Sequence, residues 1–248
     1  MNYYRIKNIF FILFFSCIFI DLSAQNKIVL STHNLFPYSS YPDNAEVKFI
    51  ADETFTGVAI EPVRYALDMM NFELEIQVVP WERAQIMAKN NETDGFFAAS
   101  QKDSRDEFAI MSSYIADQKW NWYILKENPL NPESPDFKEK AQVASFLGAN
   151  MLKWMNQENY NIKGTPPDTE HLLKILLAKR VDAVMANNYV MDALLKKYRV
   201  EDKVKIFTNQ NKPLGVYFTK KFIAEHPDFL ENFNKYINKY RRETSKWN

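Results

Sequence analysis

The sequence predicts an α/β protein of two lobes, and three observations carry that expectation. Apolar runs of strand length alternate with amphipathic helical stretches, the pattern of sheets flanked by helices. The alternation occurs twice, separated by a loop in which Pro129, Pro132 and Pro135 follow closely. A chain of 248 residues is also long enough for two compact cores.

The elements follow in order. A strand is expected over 27–32 (KIVLST), then a loop over 33–52 carrying Phe36-Pro37-Tyr38 and Tyr41-Pro42. Thr56-Gly57 leads into a helix over 58–70, where Pro62 is tolerated because it falls near the first turn. Residues 74–79 (LEIQVV) make a second strand. In the next stretch Trp81, Ala84, Met87 and Ala88 share one apolar helical face, and Asn90 and Asn91 suit its end. Asp94-Gly95 signals a turn, and 95–99 is a short apolar strand. The expected unit is strand–helix–strand, parallel with a right-handed crossover. Ser100, Ser104 and Arg105 lie just past its second strand, at the edge where open α/β sheets bind ligands.

The aromatic, strand-like stretch 114–125 and the proline loop after it mark the lobe boundary. The second alternation offers a strand at 142–146, a turn at Gly148 and a helix over 150–157. A stronger helix over 169–178 has Leu172, Leu173, Leu176 and Leu177 on one face and Asp168 or Thr169 as N-cap. A strand at 181–186, a helix over 189–197 and strands at 204–207 and 214–219 come next. Phe229, Leu230, Phe233, Ile237 and Tyr240 define a closing helix. The chain therefore crosses between lobes twice.

Charge is balanced, 31 basic residues against 31 acidic, so nothing points to nucleic acid or an anionic membrane surface. Residues 1–24 read as a secretory signal: Arg5 and Lys7 come first, an apolar run spans 9–20, and Leu22-Ser23-Ala24 precedes a cut at Gln25. That run is about 12 residues, short of the roughly 20 that span a bilayer. Cys17, the only cysteine, lies inside it. Phe14-Phe15-Ser16 is a poor run-in for lipid attachment, so simple cleavage and a periplasmic location are the expectation. An exported domain without cysteines relies on its core, and the 15% aromatic content suits a well-filled one. His33, His171 and His226 lack metal-ligand spacing. No phosphate loop, dinucleotide fingerprint or GxSxG elbow occurs, so neither metal nor cofactor is expected.

Several short motifs acquire weight from their order. They are Phe36-Pro37-Tyr38, Thr56-Gly57, Val79-Pro80-Trp81-Glu82-Arg83, Thr93-Asp94-Gly95, and Ser100 followed by Arg105. Gly148, Arg180-Val181-Asp182-Ala183-Val184 and Leu214-Gly215-Val216-Tyr217-Phe218 complete the set. Each alone is weak; their sequence and spacing, over nearly all of the chain after residue 24, resembles the family-3 periplasmic solute-binding proteins of ABC transporters.

The resemblance implies a Venus-flytrap fold: a mixed, mostly parallel sheet in each lobe, a two-strand hinge, and closure over one solute. The first lobe would take 25–117 with 213–248, the second 118–212. By position, Arg105 would grip a ligand carboxylate with its planar fork. Ser100 and the backbone around Ala98 would add polar contacts, and Tyr38 would cover the ligand. Gly148, Ala149 and Asn150 open a helix whose free N–H groups favour an anionic group. One departure concerns Asn187, which stands where amino-acid binders usually carry an Asp for the ligand ammonium. Asparagine can hydrogen-bond but cannot neutralise a buried cation.

The expected function is non-catalytic capture of a small polar, carboxylate-bearing, amino-acid-like solute by a monomer. Its partner would be an ABC permease or a membrane sensor. Two alternatives stay open. One is a dehydratase-like enzyme using Asp103, Glu107 or Glu170, which a cleft carboxylate without a cationic partner would favour. The other is a module for protein contacts, with its cleft filled by its own aromatic side chains.

Overall fold

A computed structural model describes residues 26–43 and 45–244; the expected signal segment and Cys17 lie outside the described residues. The first part of the chain forms β1 (Asn26–Thr32), α1 (Ile60–Met69), β2 (Phe72–Val78), α2 (Trp81–Lys89), β3 (Gly95–Ser100), α3 (Asp103–Asp106) and β4 (Ala109–Met111). The middle part forms β5 (Lys119–Leu125), α4 (Phe137–Lys140), β6 (Val143–Ala144), α5 (Asn150–Gln157), β7 (Ile162–Gly164), α6 (Thr169–Leu177), β8 (Ala183–Asn187), α7 (Asn188–Tyr198) and β9 (Val204–Asn211). The chain closes with β10 (Leu214–Thr219), α8 (Lys220–Glu225) and α9 (Phe229–Thr244).

Two five-stranded sheets result, in the orders β2-β1-β3-β10-β4 and β7-β6-β8-β5-β9. Each is mixed, and its pairings divide evenly. In the first, β1 pairs in parallel with β2 and β3, while β10 runs antiparallel to β3 and β4. The second repeats this plan, with β6 parallel to β7 and β8, and β5 antiparallel to β8 and β9. The antiparallel share arises because the strands next to the lobe connection run against the crossover-linked ones. The expected strand–helix–strand unit has β2 and β3 parallel, but β1 lies between them, so they are not neighbours.

Alternation along the strands builds the cores. In β5, Tyr123 and Leu125 face α6 and α7 through Leu172, Leu173, Leu176 and Met191. Trp120, Trp122 and Ile124 face the opposite layer with Phe137, Met151 and Met155. Both faces are covered, which is why β5 and β8 read as continuous apolar runs. In the first lobe Ile28, Leu30, Val216 and Phe218 pack beneath α1 and α9, with Val63, Leu67, Phe233 and Ile237.

β3 breaks its own alternation. Phe97 and Ala98 both belong to the α1/α9 core, while Phe96 and Ala99 face the other way. Ala98 has φ 60°, and β10 pairs Gly215 with Ala99 and Val216 with Phe97, skipping Ala98. It is a β-bulge with an alanine in the left-handed region, a conformation that costs about 1–2 kcal/mol outside glycine. Beyond it the phase of the strand is reversed, and Ser100 turns towards the gap between the lobes.

Two segments join the lobes. Leu214 N–H donates to Ala116 O (2.8 Å) and Lys212 N–H to Gln118 O (2.8 Å). The outgoing and returning chains therefore run antiparallel and hydrogen-bonded through the hinge. Tyr38 of the first lobe and Tyr189 of α7 meet beside it, ring centroids 5.8 Å apart.

Candidate ligand cleft

A cavity of about 820 Å³ lies between the lobes. Its walls come from the carboxyl ends of strands: His33 just after β1, Ser100 at the end of β3, Phe146 after β6 and Asn187 at the end of β8. Such edges are where open α/β sheets hold ligands, because backbone groups and helix N-termini converge there. Ala98, Ser100, Gly148, Ala149, Asn150 and Asn187 all line the cavity. The cleft is open, and Trp81, Trp120 and Phe146 border it without filling it.

Arg105 is placed differently from the expectation. It is 2% exposed and does not line the cavity. The short α3 tucks it behind the wall, with its guanidinium 5.3 Å from the Trp81 ring and 5.8 Å from that of Phe96. Its Nε donates to Gln85 Oε1 (3.0 Å) and its Nη1 to Ser100 O (2.5 Å). The fork expected to grip a carboxylate is thus already engaged with neutral acceptors. Burial pushes its pKa down to about 10, opposed by Tyr217 and Asp106, so it remains a cation behind the wall.

Tyr38 is also withdrawn. It is fully buried in the first-lobe core beside the hinge and does not reach the cavity lining. Its hydroxyl makes no hydrogen bond, although Gln118 approaches it, and burial pushes the phenol far above its ordinary range. Packing of the Phe36-Pro37-Tyr38 loop against Gly57 fixes this position. A Cβ at Gly57 would come within 2.3 Å of Tyr38 O.

The first-lobe wall adds His33, Gln85 and Lys102. The His33 ring lies 4.6 Å from Trp81, and its Nδ1 is buried without a partner. Burial, aided by the Arg105 charge, pushes its pKa down to about 4; the ring is neutral at neutral pH. Lys102 makes no ion pair among the described residues. The second-lobe wall turns at Gly148, φ 80°, where only a residue tolerant of the left-handed region fits without strain. It then enters α5, whose first N–H groups have no intrahelical acceptor. Lys153 stands in that first turn and lines the cavity. The hinge contributes Gln118, and the Lys212 ammonium lies 5.3 Å over the Trp120 ring.

The acids suggested for catalysis are elsewhere. Asp103 accepts from Gln101 outside the lining (3.3 Å), and Glu170 is tied to Lys174 (2.8 Å) and Tyr198 on the surface. Glu107 is exposed and also outside it. Glu82 is a cleft carboxylate without an ion pair among the described residues, the feature that would favour an enzyme. It stands exposed in the first turn of α2, a position where helices favour acids for structural reasons. No cluster of metal-ligating side chains occurs among the described residues.

Reading by motif did not single out Lys102, Lys153, Gln85 or Gln118 as site residues. Lys153 did carry a signal: a cation in the first turn of a helix opposes the dipole, and such local violations often mark sites.

No family model and no curated protein sequence matches the chain. Among solved structures it is similar to an ancestral cationic amino acid solute-binding protein (15% identity, TM-score 0.67, covering 89% of this chain and 92% of that one). It is similar also to holo ArgBP from T. maritima (14% identity, TM-score 0.64, covering 87% and 91%). A third is AbpA from Streptococcus pneumoniae, an amino acid ABC transporter substrate-binding protein bound to L-arginine (18% identity, TM-score 0.64, covering 89% and 91%). At these identities the likeness is one of fold: the chain has the two-lobed architecture of solute-binding proteins.

Proposed function

We propose that the protein captures a small polar, carboxylate-bearing solute outside the cytoplasm and delivers it to a membrane partner, an ABC permease. The observation that carries this reading is the open cavity of about 820 Å³ between two hinged lobes, walled by strand ends from both. Ligand would settle first on Ser100, Gln85 and Lys102 of the first lobe. Hinge rotation through 115–118 and 212–214 would then bring α5 and Asn187 over it. The fold neighbours support this division of labour, since those structures are solute-binding proteins. Residues 1–24 would direct export, and an exported product whose mass begins at Gln25 is the check on that step.

The test is thermal unfolding of the purified protein against amino acids, dicarboxylates, oligopeptides and aromatic acids. A ligand at about 100 times its Kd adds about 2.7 kcal/mol, which at this size raises the midpoint by roughly 5–10 °C. A folded, ligand-free protein that responds to none of these classes would sink the capture reading.

A further inference from the structure

Charge on the cavity walls is lopsided. Lys102 from the first lobe and Lys153 from the second line the same cavity, and neither has an ion-pair partner among the described residues. Burial lowers the Lys102 pKa, and the Lys153 and Arg105 charges lower it further, so the lysines feel each other across the gap. Lys153 stands at a helix N-terminus that holds no acidic residue in its first turn, where the dipole disfavours a cation. It is exposed, as Glu82 is, so folding neither requires nor forbids it. Opposite these charges the lining offers one acid, the exposed Glu82.

Asn187 supplies an independent sign of a ligand. It is 8% exposed and lines the cavity. Its Oδ1 is buried with no partner, and its side chain does not cap α7. A buried amide left unpaired carries a cost that a bound molecule would relieve. Its orphan oxygen is an acceptor, so it can be met by a hydroxyl or an N–H donor; being neutral, the amide does not compensate the charge of an ammonium.

We propose that the cleft selects a compact dicarboxylate, one carboxylate held by Lys102 and the other by Lys153 with the N–H groups opening α5. Asn187 Oδ1 accepts from a hydroxyl on the uncharged middle of the molecule. This rests on the capture reading and narrows it. Before binding, like charges on the two walls oppose closure; a dianion between them removes that opposition and adds charge-assisted hydrogen bonds from both sides. A cationic solute such as arginine would bring a third charge of the same sign.

Calorimetric titration of the purified protein with a four-carbon series tests this, using succinate, L-malate, L-aspartate and L-asparagine, with L-arginine added. L-Malate, whose hydroxyl can donate to Asn187 Oδ1, should bind about tenfold or more tightly than L-aspartate, whose ammonium meets no buried acid, with succinate between them and L-asparagine and L-arginine weaker still. Lys102→Met and Lys153→Met should each weaken dicarboxylate binding about tenfold or more, with the ligand-free unfolding midpoint unchanged. High salt should weaken it too. Tighter binding of L-arginine or L-asparagine, or dicarboxylate affinity indifferent to both substitutions, overturns the proposal while leaving capture intact. Dicarboxylate selection also fails, and capture survives, if none of the five binds but another solute of the wider panel does. A folded protein that binds nothing in either panel overturns both readings.

Discussion

His33 and Arg105 share the space around Trp81, and their chemistry there differs from what the same side chains do in water. The His33 imidazole titrates near 6.5 in an unfolded chain and about 4 in the folded one. Between those values the unfolded state binds the proton and the native state does not. Stability contributed by His33 is therefore complete above about pH 6.5 and is lost as pH falls towards 4. Allowing for its partial exposure, the loss is roughly 2 kcal/mol. His33→Phe keeps a ring against Trp81 and cannot protonate, so urea unfolding of that variant should show a shallower decline between pH 6.5 and 4 than the wild type. Equal slopes would mean that the imidazole is not held neutral. Sequence position places Arg105 near a strand end at the cleft edge. It could not show that Gln85, 20 residues earlier, and two aromatic faces already occupy the guanidinium. Lys102 and Lys153 were hidden for a related reason: among 31 basic residues, composition does not say which ones turn inward.

At the level of elements, long periodic segments were legible and short ones were not. The helix at Asn150–Gln157 and the strand at Leu214–Thr219 fall where apolar spacing places them. α3, β4, α4, β7 and α8 are three to six residues each, too short for a period to accumulate. The insertion of β1 between β2 and β3 escaped for another reason, since pairing order is a non-local choice. The bulge in β3 was equally invisible, because GFFAAS reads as an ordinary apolar run. Its energetics can be measured. Ala98→Gly removes the left-handed penalty but loosens the unfolded chain, so it should stabilise by up to about 1 kcal/mol. Ala98→Val should cost more than about 1 kcal/mol, since β-branching makes that conformation worse. Thermal unfolding of the pair gives the answer; a more stable valine variant would rule out strain at this position.

Across the whole molecule, each lobe carries its own buried clusters, and the lobes are tied by the Ala116–Leu214 bridge, the Lys212–Gln118 hydrogen bond and the packing of Tyr189 and Val190 against the first lobe. Rigid bodies joined by so few bonds move by hinge rotation. Small-angle scattering should therefore show a smaller radius of gyration once a ligand saturates the cleft. A saturated protein with an unchanged radius would mean that binding occurs without closure.

The same connection has a consequence for how such a protein changes over time. The entire second sheet comes from one unbroken stretch, Lys119 to Asn211, entered at Gln118 and left at Lys212, whose backbones touch. A segment whose ends meet can be exchanged as a cassette, because the joint spans almost no distance. One recombination event would then replace a full wall of the binding chamber, with its lysine, its helix N-terminus and its amide. The host lobe would keep its fold. Cargo preference in this architecture is inherited in halves.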